Sequence, residues 1–233
     1  MLLLHEVHQV AGAREEEFEA AYRDDWMPTL AKDDDARLLY FLHHAHGTGR
    51  AYNVVTITAV RDGAAWEDLA RRLQAGDLRE WASEVDRLRH RVTGKLLLAV
   101  PWSPLTDVDL AAVPVTGHHE LTLFMEDTAW PHEGMLDDYL EAARSQYAPS
   151  IAEGRGRGLL DLQAVFQPAW GSVARREVVL WQKVRDVRAI TGLVSTEVPA
   201  EYRAPGTWMH DALRVRDDWE SKLLRTAAWS PLY

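Results

Sequence analysis

Apolar and polar positions alternate loosely from Leu2 to Val10, which predicts a strand broken by Ala11-Gly12. From Arg14 to Ala31, Phe18, Tyr22, Trp26 and Leu30 recur at every fourth position, predicting a helix with one apolar stripe that Pro28 should kink or end early. Asp33-Asp34-Asp35 marks a solvated turn. A strand is expected from Arg37 to His46, a turn at Gly47-Thr48-Gly49, and a β-branched strand from Tyr52 to Val60. Trp66, Leu69 and Leu73 predict one short helix, and Leu78, Trp81, Val85 and Leu88 another. Lys95 to Val100 reads as a last strand, stopped by Pro101. The order is β-α-β-β-α-β, the ferredoxin-like arrangement.

The pattern then repeats. Trp102-Ser103-Pro104-Leu105 recurs as Trp229-Ser230-Pro231-Leu232. Ala45 to Asp62 matches Ala169 to Asp186 at a shift of 124, with seven identities among 18 pairs. Glu80 to Leu97 matches Thr207 to Leu224 at a shift of 127, keeping Trp81, Arg87, Arg89, Lys95, Leu96 and Leu97. Near each start, His5-Glu6 is paired with His119-Glu120, and Trp26-Met27-Pro28 with Tyr147-Ala148-Pro149. A period this long implies two domain-sized copies. The expected organisation is a first repeat over 1–105, a linker over 106–117 and a second repeat over 118–233. In the second copy a strand is expected from Glu120 to Glu126, a longer loop from Asp127 to Gly134, and a helix from Leu136 to Ile151. A hairpin (159–167 and 177–184), helical pieces at 187–194 and 208–219, and a short strand at 223–228 follow. The tetrapeptide reads as a terminator: Pro stops the ladder and Trp anchors the exit of each sheet.

A ferredoxin-like sheet covers one face with its helices, so the other face must be buried or enclose something. Two copies in one chain can bring those faces together, and the expected fold class is α+β: two ferredoxin-like repeats forming a single-chain α+β barrel. The 233 residues, 47% hydrophobic and 27% charged, supply the core this requires. A net charge of −10 argues against nucleic-acid partners and against anionic membranes. The absence of cysteine excludes disulfides and thiolate zinc sites. The opening Met1-Leu2-Leu3-Leu4 is too short for a signal peptide, so a soluble cytoplasmic protein is expected.

The opening His-Glu-Val-His strand, the Gly turn, the acidic-aromatic helix and the tandem copies together resemble the NIPSNAP-type branch of the dimeric α+β barrel superfamily. His5 stands where that branch usually has Tyr, and His8 where it has Arg. The resemblance implies a lumen able to hold a small molecule. It also implies one of several functions: a cofactor-independent monooxygenase, a polyketide cyclase, a haem-handling protein or a non-catalytic ligand-binding protein. Pairing into a homodimer through exposed strand edges is a further expectation.

The candidate chemistry centres on histidines and carboxylates. If Leu3, His5 and Val7 face the helices, Leu4, Glu6 and His8 face the other way, and His44 and His46 share a face of the next strand. Glu6, His8, His44 and Glu120 are the expected acid–base residues, because an imidazole titrates near neutrality and a carboxylate can orient it. His46, Tyr52, Trp130, His132 and Trp170 are the expected substrate-binding residues. The competing reading makes the histidines rim residues bonded to backbone and water, and the Glu pair structural. No organic cofactor is expected; the alternative is haem or a divalent metal on His8, His44 and His46. Gly154-Arg155-Gly156-Arg157-Gly158 lacks the context of a phosphate loop and reads as a flexible connection. The expected function is a small-molecule enzyme of the monooxygenase, cyclase or isomerase type acting on an aromatic or polyketide-like substrate.

Overall fold

The computed structural model describes residues 1–152 and 158–233, so most of the Gly154 to Gly158 run lies outside the described residues. The chain divides into two compact units. The first holds Met1–Leu98, Asp107–Thr122 and Leu223–Tyr233; the second holds Ala99–Thr106 and Leu123–Lys222. Each Trp-Ser-Pro-Leu tetrapeptide therefore belongs to the unit built from the other copy.

In the first unit, β1 (Leu2–Val10), β2 (Ala36–His44), β3 (Asn53–Val60) and β4 (Arg89–Ala99) form an antiparallel sheet in the order β4-β1-β3-β2. One face is covered by α1 (Glu15–Ala20), a π-helical segment (Ala21–Trp26), α2 (Met27–Leu30), α3 (Gly63–Ala75) and α4 (Arg79–Arg87). Phe18, Tyr22, Trp26 and Leu30, the predicted stripe, pack on Leu38, Phe41 and Val54 of the sheet and on Leu69 and Val85 of the later helices. The Trp26 and Trp81 rings stack with centroids 4.3 Å apart. Pro28 does not end the helix, which continues to Leu30. The proline lacks an N–H and its ring crowds the turn before it, and here that turn is already widened into π geometry. The Ala21 carbonyl at the start of this segment accepts a hydrogen bond from Trp81 Nε1 at 3.1 Å.

The second unit repeats the plan with β5 (Leu123–Trp130), β6 (Leu160–Pro168) and β7 (Val178–Val184) in the order β5-β7-β6. Its helices are α5 (Leu136–Ala142), α6 (Ala148–Ala152), α7 (Val187–Ser195) and the short α8 (Trp208–Asp211). A π segment (Ala143–Tyr147) again precedes a proline, Pro149. Tyr139, Ala143 and Tyr147 face Val165, Val178 and Leu180, with Trp102 and Trp208 packed beside them. β8 (Asp218–Thr226) is divided by the unit boundary, and its end pairs with β2, Leu42 opposite Thr226 and His44 opposite Leu224.

The tetrapeptides dock on matching β-bulges. The β2–β3 register slips between Leu38 and Tyr40, and the β6–β7 register between Leu162 and Ala164. A bulge leaves the extra residue, here Leu39 and Gln163, outside the ladder. The Leu39 carbonyl accepts from Leu232 N at 2.9 Å, and the Gln163 carbonyl from Leu105 N at 3.1 Å. Two residues on, Phe41 N donates to Ser230 Oγ at 3.1 Å and Val165 N to Ser103 Oγ at 3.0 Å. Each serine hydroxyl then donates to the carbonyl of the leucine after its proline, Leu232 or Leu105. The tetrapeptide therefore acts as a clasp as well as a terminator.

Several sequence expectations are corrected. β2 ends at His44, so His46 lies in the following turn and shares no strand face with it. β5 starts at Leu123, leaving Glu120 exposed in an irregular segment. Helix α8 is brief, and Trp219 lies on β8. The face assignment of β1 is reversed: Val10 belongs to the core beneath the helices, and His8 lies against Phe18 with centroids 5.2 Å apart. Leu3 and His5 on one face and His8 and Val10 on the other are all buried. Alternation alone does not distinguish two buried faces. No helix among the described residues is long and apolar enough to cross a membrane.

The clasp is testable. Ser230→Ala leaves the buried Phe41 amide without its acceptor and is expected to lower stability by about 1–3 kcal/mol. Urea denaturation measures this, and Ser103→Ala is expected to behave alike.

Candidate functional site

In the first unit, Glu6 and His8 sit two residues apart on β1 and turn the same way, beneath the π segment. His8 is fully buried. Arg89, on the neighbouring β4, brings Nη1 to 2.7 Å from His8 Nδ1. A guanidinium only donates, so Nδ1 accepts and the ring proton sits on Nε2. Nε2 then donates to Thr56 Oγ1 at 3.0 Å, with Tyr22 Oη at 3.4 Å. Burial pushes the His8 pKa well below its ordinary value, and the Arg89 charge pushes the same way. His8 is a fixed neutral imidazole. Asp86 engages the other side of Arg89, with Oδ1 3.0 Å from Nε and 2.5 Å from Nη2.

Glu6 Oε2 lies 4.0 Å from His8 Nε2. Burial raises the Glu6 pKa; Arg89 opposes this and Asp86 adds to it. Its side chain nevertheless keeps 22% of its surface open. The residue opposite Glu6 on β4 is Gly94, which is exposed, and a Cβ there would come within 3.7 Å of Glu6 Cγ. Gly94 therefore places no side chain against this part of Glu6. A carboxyl that holds its proton closer to neutrality, in reach of solvent, can both take and return a proton.

The second unit carries a counterpart. β1 pairs His5 with Ile57, and β5 pairs Glu126 with Trp181, which is Ile57 shifted by 124. Asp127, not Glu120, is therefore the residue that matches Glu6. Burial raises the Asp127 pKa against hydrogen bonds from Ser221 and Gln182. Ser221 stands where the first copy has Gly94, and its Oγ donates to Asp127 Oδ1 at 2.5 Å. Gln182 Nε2 donates to Oδ2 at 2.9 Å, and Tyr147 donates to Gln182 Oε1.

The other predicted residues do not join Glu6 and His8. The His44 ring is half-buried at the end of β2 against Gly49. His46 is exposed. Tyr52, half exposed with φ +59°, leans its ring on Gly12 and accepts Val10 N through its carbonyl. Trp130, His132 and Trp170 all belong to the second unit. Trp130 Nε1 donates to Glu177 Oε2 at 3.1 Å, and Trp170 is exposed beneath the Arg176 guanidinium, 4.6 Å from its ring centroid. Pro131, His132, Gly134, Leu136, Arg175 and Arg176 line a groove of about 600 Å³. Arg89, Tyr22, Thr56 and Asp127 are not among the site residues expected from the sequence. Only Arg89 left a signal, as one of the identities that recur in both copies.

No protein-family model and no curated relative matches this chain. Solved structures do. An uncharacterized NIPSNAP domain protein from Burkholderia xenovorans matches 44% of the chain over 97% of its own, at 17% identity and a TM-score of 0.37. An anthrone oxidase-like protein matches 97% of the chain over 91% of its own, at 8% identity and 0.56. A variant of Rhodococcus jostii DypB, in complex with heme, matches 97% over 92%, at 8% identity and 0.53. The two long matches show the fold, the tandem ferredoxin-like α+β fold expected from the sequence. Some proteins of this fold bind haem.

The neutral state of His8 predicts a pH signature. In the unfolded chain His8 takes up a proton near pH 6.5; in the folded protein it resists down to lower pH. The stabilisation it contributes is present above about pH 6.5 and is lost as pH falls toward the depressed folded value. The stability difference between wild type and His8→Gln should therefore shrink as pH is lowered from 7 to 5. Urea denaturation across that range reads it, and a constant difference would contradict the neutral assignment.

Proposed function

We propose that the chain is a small-molecule enzyme in which Glu6 is the acid–base group, acting on an aromatic or polyketide-like substrate without an organic cofactor. The reaction class is that of a monooxygenase, cyclase or isomerase, in which a proton leaves a carbon activated by a carbonyl or an aromatic ring. The observation that carries this reading is Glu6 itself: its pKa is raised by burial, yet its side chain keeps 22% of its surface exposed, with a glycine opposite it on β4. Raised carboxylate pKa values serve proton transfer at neutral pH.

His8, closed off from solvent, would act through Glu6 and Arg89 rather than on the substrate, and is a positioning residue. Arg89 places a fixed positive charge near the proton-transfer centre, where it favours an anionic intermediate. His44, His46 and Tyr52 are candidates for substrate contact in the same unit. The groove beside His132 and Arg175 is proposed as a separate surface for a flat ligand, with Trp130 and Trp170 flanking it. The long match to an anthrone oxidase-like protein suggests a trial substrate class.

Haem or a divalent metal fits the proposed ligand set poorly. A ligating imidazole needs a free lone pair. His8 Nδ1 takes the Arg89 hydrogen bond, and Nε2 holds the ring proton. His46 is exposed in the turn after β2 and does not join His8. Among the described residues, no group of three His, Asp or Glu side chains converges as a metal site. No step of the proposed chemistry is routed through iron or another metal.

The test is oxygen-dependent oxidation of anthrone, followed by absorbance, in wild type and Glu6→Gln. Loss of the general base should lower kcat by roughly 10²- to 10⁴-fold. Gly94→Ser, which copies the serine that hydrogen-bonds Asp127, should lower kcat/KM while the fold is retained. Undiminished turnover in Glu6→Gln would remove Glu6 from the chemistry.

A further inference from the structure

Arg89 recurs in the second copy as Arg216, shifted by 127, but its surroundings do not recur. Arg89 is neutralised within its own unit: Asp86, three residues earlier, binds Nε and Nη2, and His8 accepts from Nη1. In the second copy Leu213 stands in place of Asp86 and Ala129 in place of His8. Both partners have been replaced by apolar side chains, and the arginine has been kept.

Arg216 is nevertheless buried, with 8% of its surface exposed. Its guanidinium carbon lies 5.9 Å from the Trp208 ring centroid and 5.2 Å from that of Trp219. The Tyr139 hydroxyl lies near it. Its Nε is fully buried and has no hydrogen-bond partner. Among the described residues, no carboxylate forms an ion pair with it. Asp127 acts on it only at longer range, and its two oxygens are held by Ser221 and Gln182. Indole faces stabilise a cation, but they do not replace an anion as a hydrogen-bond acceptor.

We infer that Arg216 is the anchor of a binding site for a small planar organic carboxylate. The guanidinium fork matches the two oxygens of a carboxylate, which is the geometry this side chain favours. Trp208 and Trp219 supply flat apolar faces on which the body of such a ligand can stack. Trp219 is half exposed, so the site is reached from solvent. The exchange of Asp86 for Leu213 and of His8 for Ala129 opens to a ligand the positions that the first copy fills from within. This site lies wholly in the second unit and does not rest on the role proposed for Glu6.

Isothermal titration of the full chain with benzoate tests the site. One benzoate is expected to bind per chain, quenching indole fluorescence. Arg216→Gln should weaken binding at least tenfold. Arg216 is buried and its loss can perturb folding, so a second variant keeps it. Leu213→Asp, at an exposed position, restores the acid three residues before the arginine and should also weaken binding at least tenfold with unchanged thermal stability. Glu6→Gln should bind benzoate as wild type does. Absence of saturable binding in wild type, or undiminished affinity in Leu213→Asp and Arg216→Gln, would overturn the assignment.

Discussion

The interaction on which the rest depends is the docking of each Trp-Ser-Pro-Leu segment on a β-bulge of the unit built from the other copy. A bulge places one residue outside the ladder and leaves backbone groups needing partners in a buried environment. At Leu39 and Phe41, and again at Gln163 and Val165, those partners are a leucine amide and a serine hydroxyl from the tetrapeptide. The tryptophans add apolar anchors. Trp229 packs on Phe41 with centroids 4.6 Å apart and donates to Glu19 Oε2 at 3.0 Å; Trp102 packs beside the Val165 core. Glu19 also meets His43. Burial raises the Glu19 pKa, but the hydrogen bonds from His43 and Trp229 more than offset this and leave it below its ordinary value. Because each unit needs a segment from the far end of the other repeat, neither repeat contains all the groups that satisfy its own bulge. This physical tie explains why the tetrapeptide recurs unchanged while residues around it have diverged.

The same duplication accounts for the polar clusters beneath the helices. A carboxyl on the first strand of each repeat, and an arginine at or just before its last strand, are kept in both copies, as Glu6 with Arg89 and Asp127 with Arg216. What surrounds them has changed. In the first copy an aspartate neutralises the arginine, a neutral histidine accepts from it, and a glycine stands opposite the carboxyl. In the second, serine and glutamine donate to the carboxyl, and apolar residues stand where the arginine's two partners were. Burying such groups opposes folding, so their retention in both copies needs a reason beyond packing. The two copies thus keep one carboxyl–arginine plan and differ in the partners around it.

Much of the fold was legible because it rests on periodicity and repetition. The spacing of Phe18, Tyr22, Trp26 and Leu30 named the buried stripe, and the recurrence of Trp-Ser-Pro-Leu named the duplication. The site was less legible. His5, His8, Leu3 and Val10 are all buried, so the two faces of β1 could not be told apart by polarity, and His8 was assigned to the wrong one. Glu120 was matched to Glu6 through a shared His-Glu dipeptide, whereas the ladder, which fixes register through every residue along the strand, pairs Glu6 with Asp127. The π segments were hidden because their apolar spacing resembles that of an ordinary helix. Pro28 and Pro149 were the local marks of a turn that could not be regular.

His8 and Glu6 also set opposite demands on pH. His8 is held neutral, so acid conditions oppose the fold by favouring the proton that the unfolded chain can accept. Glu6 and Asp127 have raised pKa values, so they contribute most while protonated, and that contribution declines as pH rises through their unfolded values near those of ordinary carboxylates. The Arg89 charge holds down the Glu6 pKa and lowers that of His8 further, because it favours carboxylate and disfavours imidazolium. A fully buried pair of this kind would be a structural network. Here the pair is asymmetric: Glu6 keeps part of its side chain exposed opposite a glycine, while His8 is fully buried behind it.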